Sequence, residues 1–140
     1  MKYLIDTCVA SESAKRTPSG AVTQWFASVP AADVFIPSVA LGELYKGISR
    51  LAPDDPRRPR LVDWLENLRN VFAGRIVAFD ERAAVTWGRL CGEAERAGRK
   101  RPSIDAQIAA IALANGMTLV TRNVDDMAGF DAPIFNPFPP

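Results

Sequence analysis

Short apolar runs alternate along the chain with longer segments in which apolar residues recur every three or four positions. Unbroken runs of β-forming residues predict strands that are covered on both faces. These runs occupy residues 3–5, 34–36, 75–79 and 117–121, and 134–135 is a candidate for a fifth strand. Because helical segments separate the runs, we expect an α/β fold with a mostly parallel central sheet of four or five strands.

The helical segments carry apolar residues on one face, and turn or cap residues mark their ends. The periodic segments lie at 22–26, 41–48, 61–72, 81–97 and 104–111. Side-chain oxygens suited to capping precede three of them, at Ser19, Ser38 and Asp80. Gly98 is expected to end the helix over 81–97 and Gly116 the one that starts at Pro102-Ser103.

Acidic side chains stand where strands end or helices begin. Asp6 directly follows the first strand, Asp105 lies in the first turn of a helix, and the stretch 123–126 follows the fourth strand. In parallel sheets ligands bind beyond the carboxyl ends of the strands, so these groups should converge there. Glu43 should reach the same crevice from its helix.

Composition narrows the chemistry further. The chain has 140 residues, of which 48% are hydrophobic, so we expect one domain over residues 1–140. Seventeen basic and sixteen acidic residues leave a net charge of +1, so any site for a polyanion must be local. With no histidine, triad hydrolases, His-based ribonuclease chemistry and nearly all catalytic zinc sites are excluded.

The N-terminus and the cysteines indicate a cytoplasmic protein. Asp6 interrupts the first apolar run after three residues, so neither a signal peptide nor a membrane span is expected. Cys8 and Cys91 lie far apart without metal-type spacing, and in a reducing compartment they would stay thiols.

Clustered carboxylates need a cation or a proton to coexist, and oxygen ligands without histidine suit Mg²⁺ or Mn²⁺. Such a site can activate water and neutralise charge on a phosphodiester, which is nuclease chemistry. Cations for a phosphate backbone are available just before the Asp105 helix and beside the last acids, at Arg99, Lys100, Arg101 and Arg122.

Four motifs in order resemble PIN-domain ribonucleases, specifically the VapC toxins of toxin–antitoxin pairs. They read LIDTCVASE, PSVALGELYKGI, SIDAQIAAIALANGMTLVTRNVDDM and IFNPF, and together they span nearly the whole chain. The resemblance implies a PIN-like three-layer α/β/α fold. It also implies an endoribonuclease that depends on Mg²⁺ or Mn²⁺, with Asp6, Glu43 and Asp105 as catalytic metal ligands.

We expect the enzyme to cut single-stranded or looped RNA with metal-activated water, because unstacked backbone can be bent into a narrow acidic crevice. The resemblance further implies a homodimer and a cognate VapB-like antitoxin whose C-terminal segment blocks the groove.

Supporting roles are implied for Thr7 and Ser38, which match hydroxyl positions that order the site in similar proteins. The chain departs from the family at Asn123, where a fourth acid is common, and at Cys8, where asparagine is usual. Asn123 could then orient a water or a ligand while Asp126 supplies the missing charge.

Simpler roles remain open for each acid taken singly. Asp6 could cap a helix after the strand, Asp105 could favour a helix dipole, and Asp54 and Asp55 fit a solvated loop. Two other functions also remain open. One is a catalytically weak PIN-fold module that binds RNA or protein, and the other is an aspartyl phosphotransfer domain with Asp6 as nucleophile. Against the latter, the fourth strand exits into Thr121-Arg122-Asn123 without the lysine that such domains need.

Overall fold

A parallel sheet forms the centre of the computed structural model, which describes residues 1–100 and 103–140. Within these ranges the strand order is β3-β2-β1-β4-β5, and every neighbouring pair is parallel. The strands are β1 (Tyr3–Ile5), β2 (Val34–Pro37), β3 (Ile76–Val77), β4 (Thr118–Val120) and β5 (Ile134–Phe135). The predicted sheet is therefore confirmed, with the fifth strand included.

Helices connect and flank the strands. They are α1 (Thr7–Glu12), α2 (Gly20–Ser28), α3 (Ser38–Ser49), α4 (Arg58–Val71), α5 (Glu81–Arg96), α6 (Ser103–Ala114) and α7 (Val124–Met127), and a 3₁₀ turn spans Ala31–Asp33. The sequence pattern did not predict α1 and α7, because helices of six and four residues are too short to display a helical repeat. None of these helices in the described ranges is long and apolar enough to cross a membrane.

Two of the three predicted N-caps are confirmed. The Val22 amide donates to Ser19 Oγ at 3.5 Å at the start of α2, and the Ala83 amide donates to Asp80 Oδ1 at 2.9 Å at the start of α5. The prediction for Ser38 is wrong by one residue, because β2 continues to Pro37 and Pro37 itself takes the cap position. Ser38 is the first residue of α3.

Glycines end two helices as expected. Gly98 and Gly116 have φ values of +77° and +64°, which glycine adopts without steric cost. The Arg99 amide then donates back to the Ala94 carbonyl at 2.8 Å and closes α5. Pro102 and Arg101 lie outside the described residues.

The core lies on both sides of β1 and β4. Leu4, Ile5 and Leu119 are fully buried, and each such side chain contributes roughly 1.5–3 kcal/mol to folding. On one side α6 packs against α5 and β4. The buried residues of α6 are all alanines and isoleucines, and they lie on several faces of the helix. This packing holds α6, the helix that carries Asp105, against the sheet.

Candidate active site

Asp6 lies at the carboxyl end of the central strand, and its carboxylate accepts hydrogen bonds from three donors. Its backbone amide donates to the Val120 carbonyl at 3.1 Å, which ties it to β4. The side chain caps α1, since Oδ1 accepts from the Val9 amide at 3.0 Å. Only 2% of Asp6 is exposed, so these bonds replace the water that the carboxylate loses on burial. The helix-cap role and a place in the acid cluster are thus compatible.

The two remaining donors to Asp6 are side chains. Cys8 Sγ donates to Oδ1 at 2.9 Å, and Thr121 Oγ1 donates to Oδ2. Thr121 is fully buried, and its hydroxyl in turn accepts from the Asn123 amide at 2.9 Å. Thr121 is absent from the predicted site residues. Its position directly after β4, at the same sheet edge as Asp6, is the sequence signal that points to it.

Cys8 occupies the position where the family usually has asparagine, and its thiol supplies one of the hydrogen bonds to Asp6. Burial, followed by the negative charge of Asp6, raises the pKa of Cys8 to about 12. The thiol therefore stays protonated and remains a donor at physiological pH.

Glu43 enters the cluster from α3 and is half-buried. Thr7 Oγ1, from the first residue of α1, donates to Glu43 Oε1 at 2.5 Å. This bond fixes the carboxylate orientation across 36 residues of sequence. Thr7 is therefore in direct contact with Glu43, whereas Ser38 lies half-buried at the start of α3, the helix that carries Glu43.

Asp105 completes the cluster from the first turn of α6 and is half-buried. Burial raises the pKa of Asp105, and the negative charges of Asp126, Asp6 and Glu43 raise it further. The charges of three other carboxylates thus reach Asp105 from different parts of the chain. Asp126, on α7, is the exposed member of the group.

The donor set consists of carboxylate oxygens, which suits a hard divalent cation. Among the described residues, no three Asp, Glu, Cys or His side chains already stand in metal-ligand geometry. Oxygens of both Asp6 and Glu43 accept from threonine hydroxyls instead. Burial first and neighbouring negative charge second raise the pKa of Asp105, and a bound cation would offset the negative charge.

The predicted basic residues fall into two places. Arg99 and Lys100 are exposed beyond the end of α5, and Arg101 lies outside the described residues. Arg122 is exposed immediately after Thr121, and its guanidinium carbon lies 3.7 Å from the centre of the Phe138 ring. Asn123 is also exposed and precedes α7 without capping it through its side chain.

The other acids considered in the sequence have structural roles. Asp80 caps α5, and Asp55 pairs with Arg57 at 2.8 Å in an exposed loop. Hydrogen bonds from Arg57 lower the pKa of Asp55 to about 2. Neither acid lies with the cluster described above.

Known proteins with similar sequences cover almost the whole chain. StbB, a plasmid stability protein of Pseudomonas syringae pv. tomato, is 33% identical over 136 residues, which is 96% of this chain and 97% of StbB. Toxin FitB of Neisseria gonorrhoeae is 31% identical with the same coverage. VapC ribonuclease Y4jK of Sinorhizobium fredii is 29% identical over 98% of each chain.

Solved structures agree with these sequence matches. The crystal structure of FitAcB from Neisseria gonorrhoeae superposes with a TM-score of 0.88 at 31% identity, over 96% of this chain and 97% of that one. A structure of FitAB bound to an IR36 DNA fragment gives a TM-score of 0.86 at 29% identity, over 96% of this chain and 94% of that chain. The PIN domain profile matches residues 3–131. The resemblance seen in the four sequence motifs is thereby confirmed, and the chain belongs to the PIN domain family.

Proposed function

We propose that this protein is a metal-dependent endoribonuclease and the toxin of a type II toxin–antitoxin pair. The observation that carries the proposal is that the negative charges of Asp126, Asp6 and Glu43, from separate parts of the chain, all act on the half-buried Asp105. Such a group of carboxylates is stable in its ionised form only with a cation. The relatives named toxin and VapC ribonuclease support the choice of RNA cleavage over other metal chemistry.

Mg²⁺ or Mn²⁺ would be held by Asp6, Glu43 and Asp105, with Asp126 or Asn123 nearby. When bound, the ion would supply an activated water and neutralise charge on the phosphodiester. The protein's part is to orient the ligands: Thr121, Cys8 and the Val9 amide hold Asp6, and Thr7 holds Glu43. Such supporting bonds commonly change metal affinity or activity 10–100-fold.

The substrate proposed is single-stranded or looped RNA, because unstacked backbone can bend into a narrow acidic crevice. Arg99, Lys100, Arg101 and Arg122 are the proposed contacts to its phosphates. Homodimerisation, a single domain over 1–140 and a cytoplasmic location belong to the same proposal. A VapB-like antitoxin is proposed as partner, which agrees with the related FitAcB and FitAB assemblies.

Cleavage of a panel of structured RNAs by the purified protein tests the nuclease proposal. We expect cutting with Mn²⁺ or Mg²⁺ and none with EDTA. Asp6→Asn and Asp105→Asn should each abolish cutting while circular dichroism shows an unchanged fold. Asp54→Asn is the matched control, because Asp54 is exposed in the loop before α4.

One observation favours a second candidate function, a binding module without nuclease activity: threonine hydroxyls already donate hydrogen bonds to carboxylate oxygens of Asp6 and Glu43. If no RNA is cut with either metal, the protein is a PIN-fold binding module. Cutting that survives both Asp6→Asn and Asp105→Asn would disprove the metal site. The partner is tested by adding the product of the adjacent reading frame, which should form a complex and suppress cleavage.

A further inference from the structure

The segment after β5 folds back over the edge of the sheet where β4 ends. The Thr121 amide donates to the Phe135 carbonyl at 3.0 Å, so the chain after Phe135 leaves the sheet beside Thr121 and Arg122. Phe138 is only 7% exposed and belongs to the core. Its amide donates to Asn136 Oδ1 at 3.0 Å, which closes a turn and fixes the Asn136 side chain.

Arg122 rests on this turn. The 3.7 Å separation between its guanidinium carbon and the Phe138 ring centre is a close cation–π contact. Such a contact uses none of the five N–H donors of arginine. In the described part of the chain Arg122 forms no ion pair with a carboxylate, and Glu12, whose pKa its charge helps to lower, is already paired with Lys15 at 2.9 Å.

A cavity of about 370 Å³ has both this arginine and Asp126 of the acid cluster in its wall. It is lined by Arg122, Asn123, Val124, Asp125, Asp126 and Asn136. Because Asn136 Oδ1 accepts from the Phe138 amide, its Nδ2 group is left to donate. The lining thus combines a cation and an amide donor with the carboxylates of Asp125 and Asp126, and the charge of Asp126 also acts on Asp105.

We infer that this cavity binds the nucleotide next to the one that is cut, and that Phe138 positions Arg122 to contact its phosphate. The inference rests on the proposed ribonuclease function. In this arrangement the phosphate to be cut lies at the acid cluster, and the neighbouring phosphate lies at Arg122. Phe138 touches no RNA and acts only through Arg122.

Binding of a labelled single-stranded RNA, measured by fluorescence anisotropy in EDTA across a salt series, tests the contact without cleavage. Arg122→Gln should raise the Kd about 10-fold and reduce the slope of log Kd against log salt by about 0.7, the value for one phosphate on a single strand. In cleavage assays with Mn²⁺ the same variant should raise KM far more than it lowers kcat.

Variants of Phe138 test whether its ring positions Arg122 or only packs in the core. Phe138→Leu keeps an apolar side chain but removes the aromatic face, and we expect a Kd about 3-fold higher. Phe138→Tyr restores that face and should restore the wild-type Kd and salt slope. Phe130→Leu is the matched control, because Phe130 is 2% exposed and belongs to the same core, while among the described residues the ring under Arg122 is that of Phe138.

The outcomes distinguish this inference from the nuclease proposal. RNA binding whose Kd and salt slope are the same in wild type and Arg122→Gln overturns the inference, even if cleavage is normal. Equal effects of Phe138→Leu and Phe130→Leu overturn the positioning role. Absence of RNA binding by the wild type overturns the inference altogether, whereas binding that depends on Arg122 without any cleavage supports it and disproves only the nuclease.

Discussion

Hydroxyl and thiol groups set the orientation of the acids at the centre of this protein. Asp6 accepts from Thr121 and Cys8, and Glu43 accepts from Thr7. A neutral donor lowers the cost of burying a carboxylate without supplying charge, so the cluster keeps its negative potential for a cation. Cys8 shows that a thiol can serve where an amide is usual, since its pKa of about 12 keeps it protonated.

Thr7→Val tests this arrangement at a single residue. Valine has the shape of threonine but lacks the hydroxyl, so Glu43 loses its bond and its fixed orientation. We expect the Mn²⁺ concentration for half-maximal cleavage to rise about 10–100-fold. Thr7→Ser, which keeps the hydroxyl, should stay close to wild type, and a Thr7→Val enzyme with unchanged Mn²⁺ dependence would contradict the role.

At the scale of elements, the short helix α1 connects the site to the helical layer. It begins directly after Asp6 and ends at Glu12, which is 4% exposed. Glu12 pairs with Lys15 at 2.9 Å and accepts from the Ser19 amide at 2.9 Å. The two bonds hold the loop between α1 and α2, and they explain why a charged residue is tolerated in a buried position.

Acid titration of Glu12→Gln measures the contribution of this loop. The hydrogen-bonded pair with Lys15, more than the Ser19 amide, lowers the pKa of Glu12 below its usual 4.5. The unfolded chain therefore binds the proton more readily, so the stabilisation is complete above about pH 4.5 and is lost as the pH falls through the lower folded pKa.

At pH 7 we expect Glu12→Gln to reduce the free energy of unfolding by about 1 kcal/mol, the usual value of a buried hydrogen bond. The difference from wild type should shrink below pH 4.5, as followed by urea unfolding. Glu93→Gln, at an exposed position on α5, is the control. A difference that persists unchanged at low pH would argue against the ionised pair.

At the scale of the whole molecule, the fold brings the negative charges of Asp126, Asp6 and Glu43 to bear on Asp105 at one edge of the sheet. Asp105 lies in the first turn of α6, where the helix dipole favours negative charge by roughly 0.3–1 kcal/mol. The pKa of Asp105 is nevertheless raised, so burial and the three facing carboxylates outweigh the dipole. Stability is thus given up at this edge, where we propose a cation site.

Asp105→Asn should therefore stabilise the metal-free protein. Removing one of the facing charges relieves the repulsion, and we expect the Tm in EDTA at neutral pH to rise by about 2–4 °C. Added Mn²⁺ should raise the Tm of wild type by mass action but should raise that of Asp105→Asn much less. A lower Tm for Asp105→Asn in EDTA, with Asp54→Asn unchanged, would contradict this account.

Much of this architecture could be predicted because its signals are local. The five strands follow from apolar runs, and the capping roles of Ser19 and Asp80 follow from residue type and position. The predicted cap at Ser38 is wrong because α3 begins directly after β2, so that Pro37 takes the cap position and Ser38 is already helical. The pattern does not predict α1 and α7, because helices of six and four residues are too short to show a helical repeat of apolar positions.

By itself the sequence determined that acids would gather at one sheet edge, because parallel strands place their carboxyl ends together whatever the details of packing. Only the tertiary structure decided which neutral groups hold those acids. The Thr7–Glu43 and Thr121–Asp6 bonds join residues 36 and 115 positions apart, and the contact of Arg122 with Phe138 depends on how the C-terminal segment folds back. Contacts of this kind arise from the relative placement of whole elements, which no local pattern of residues encodes.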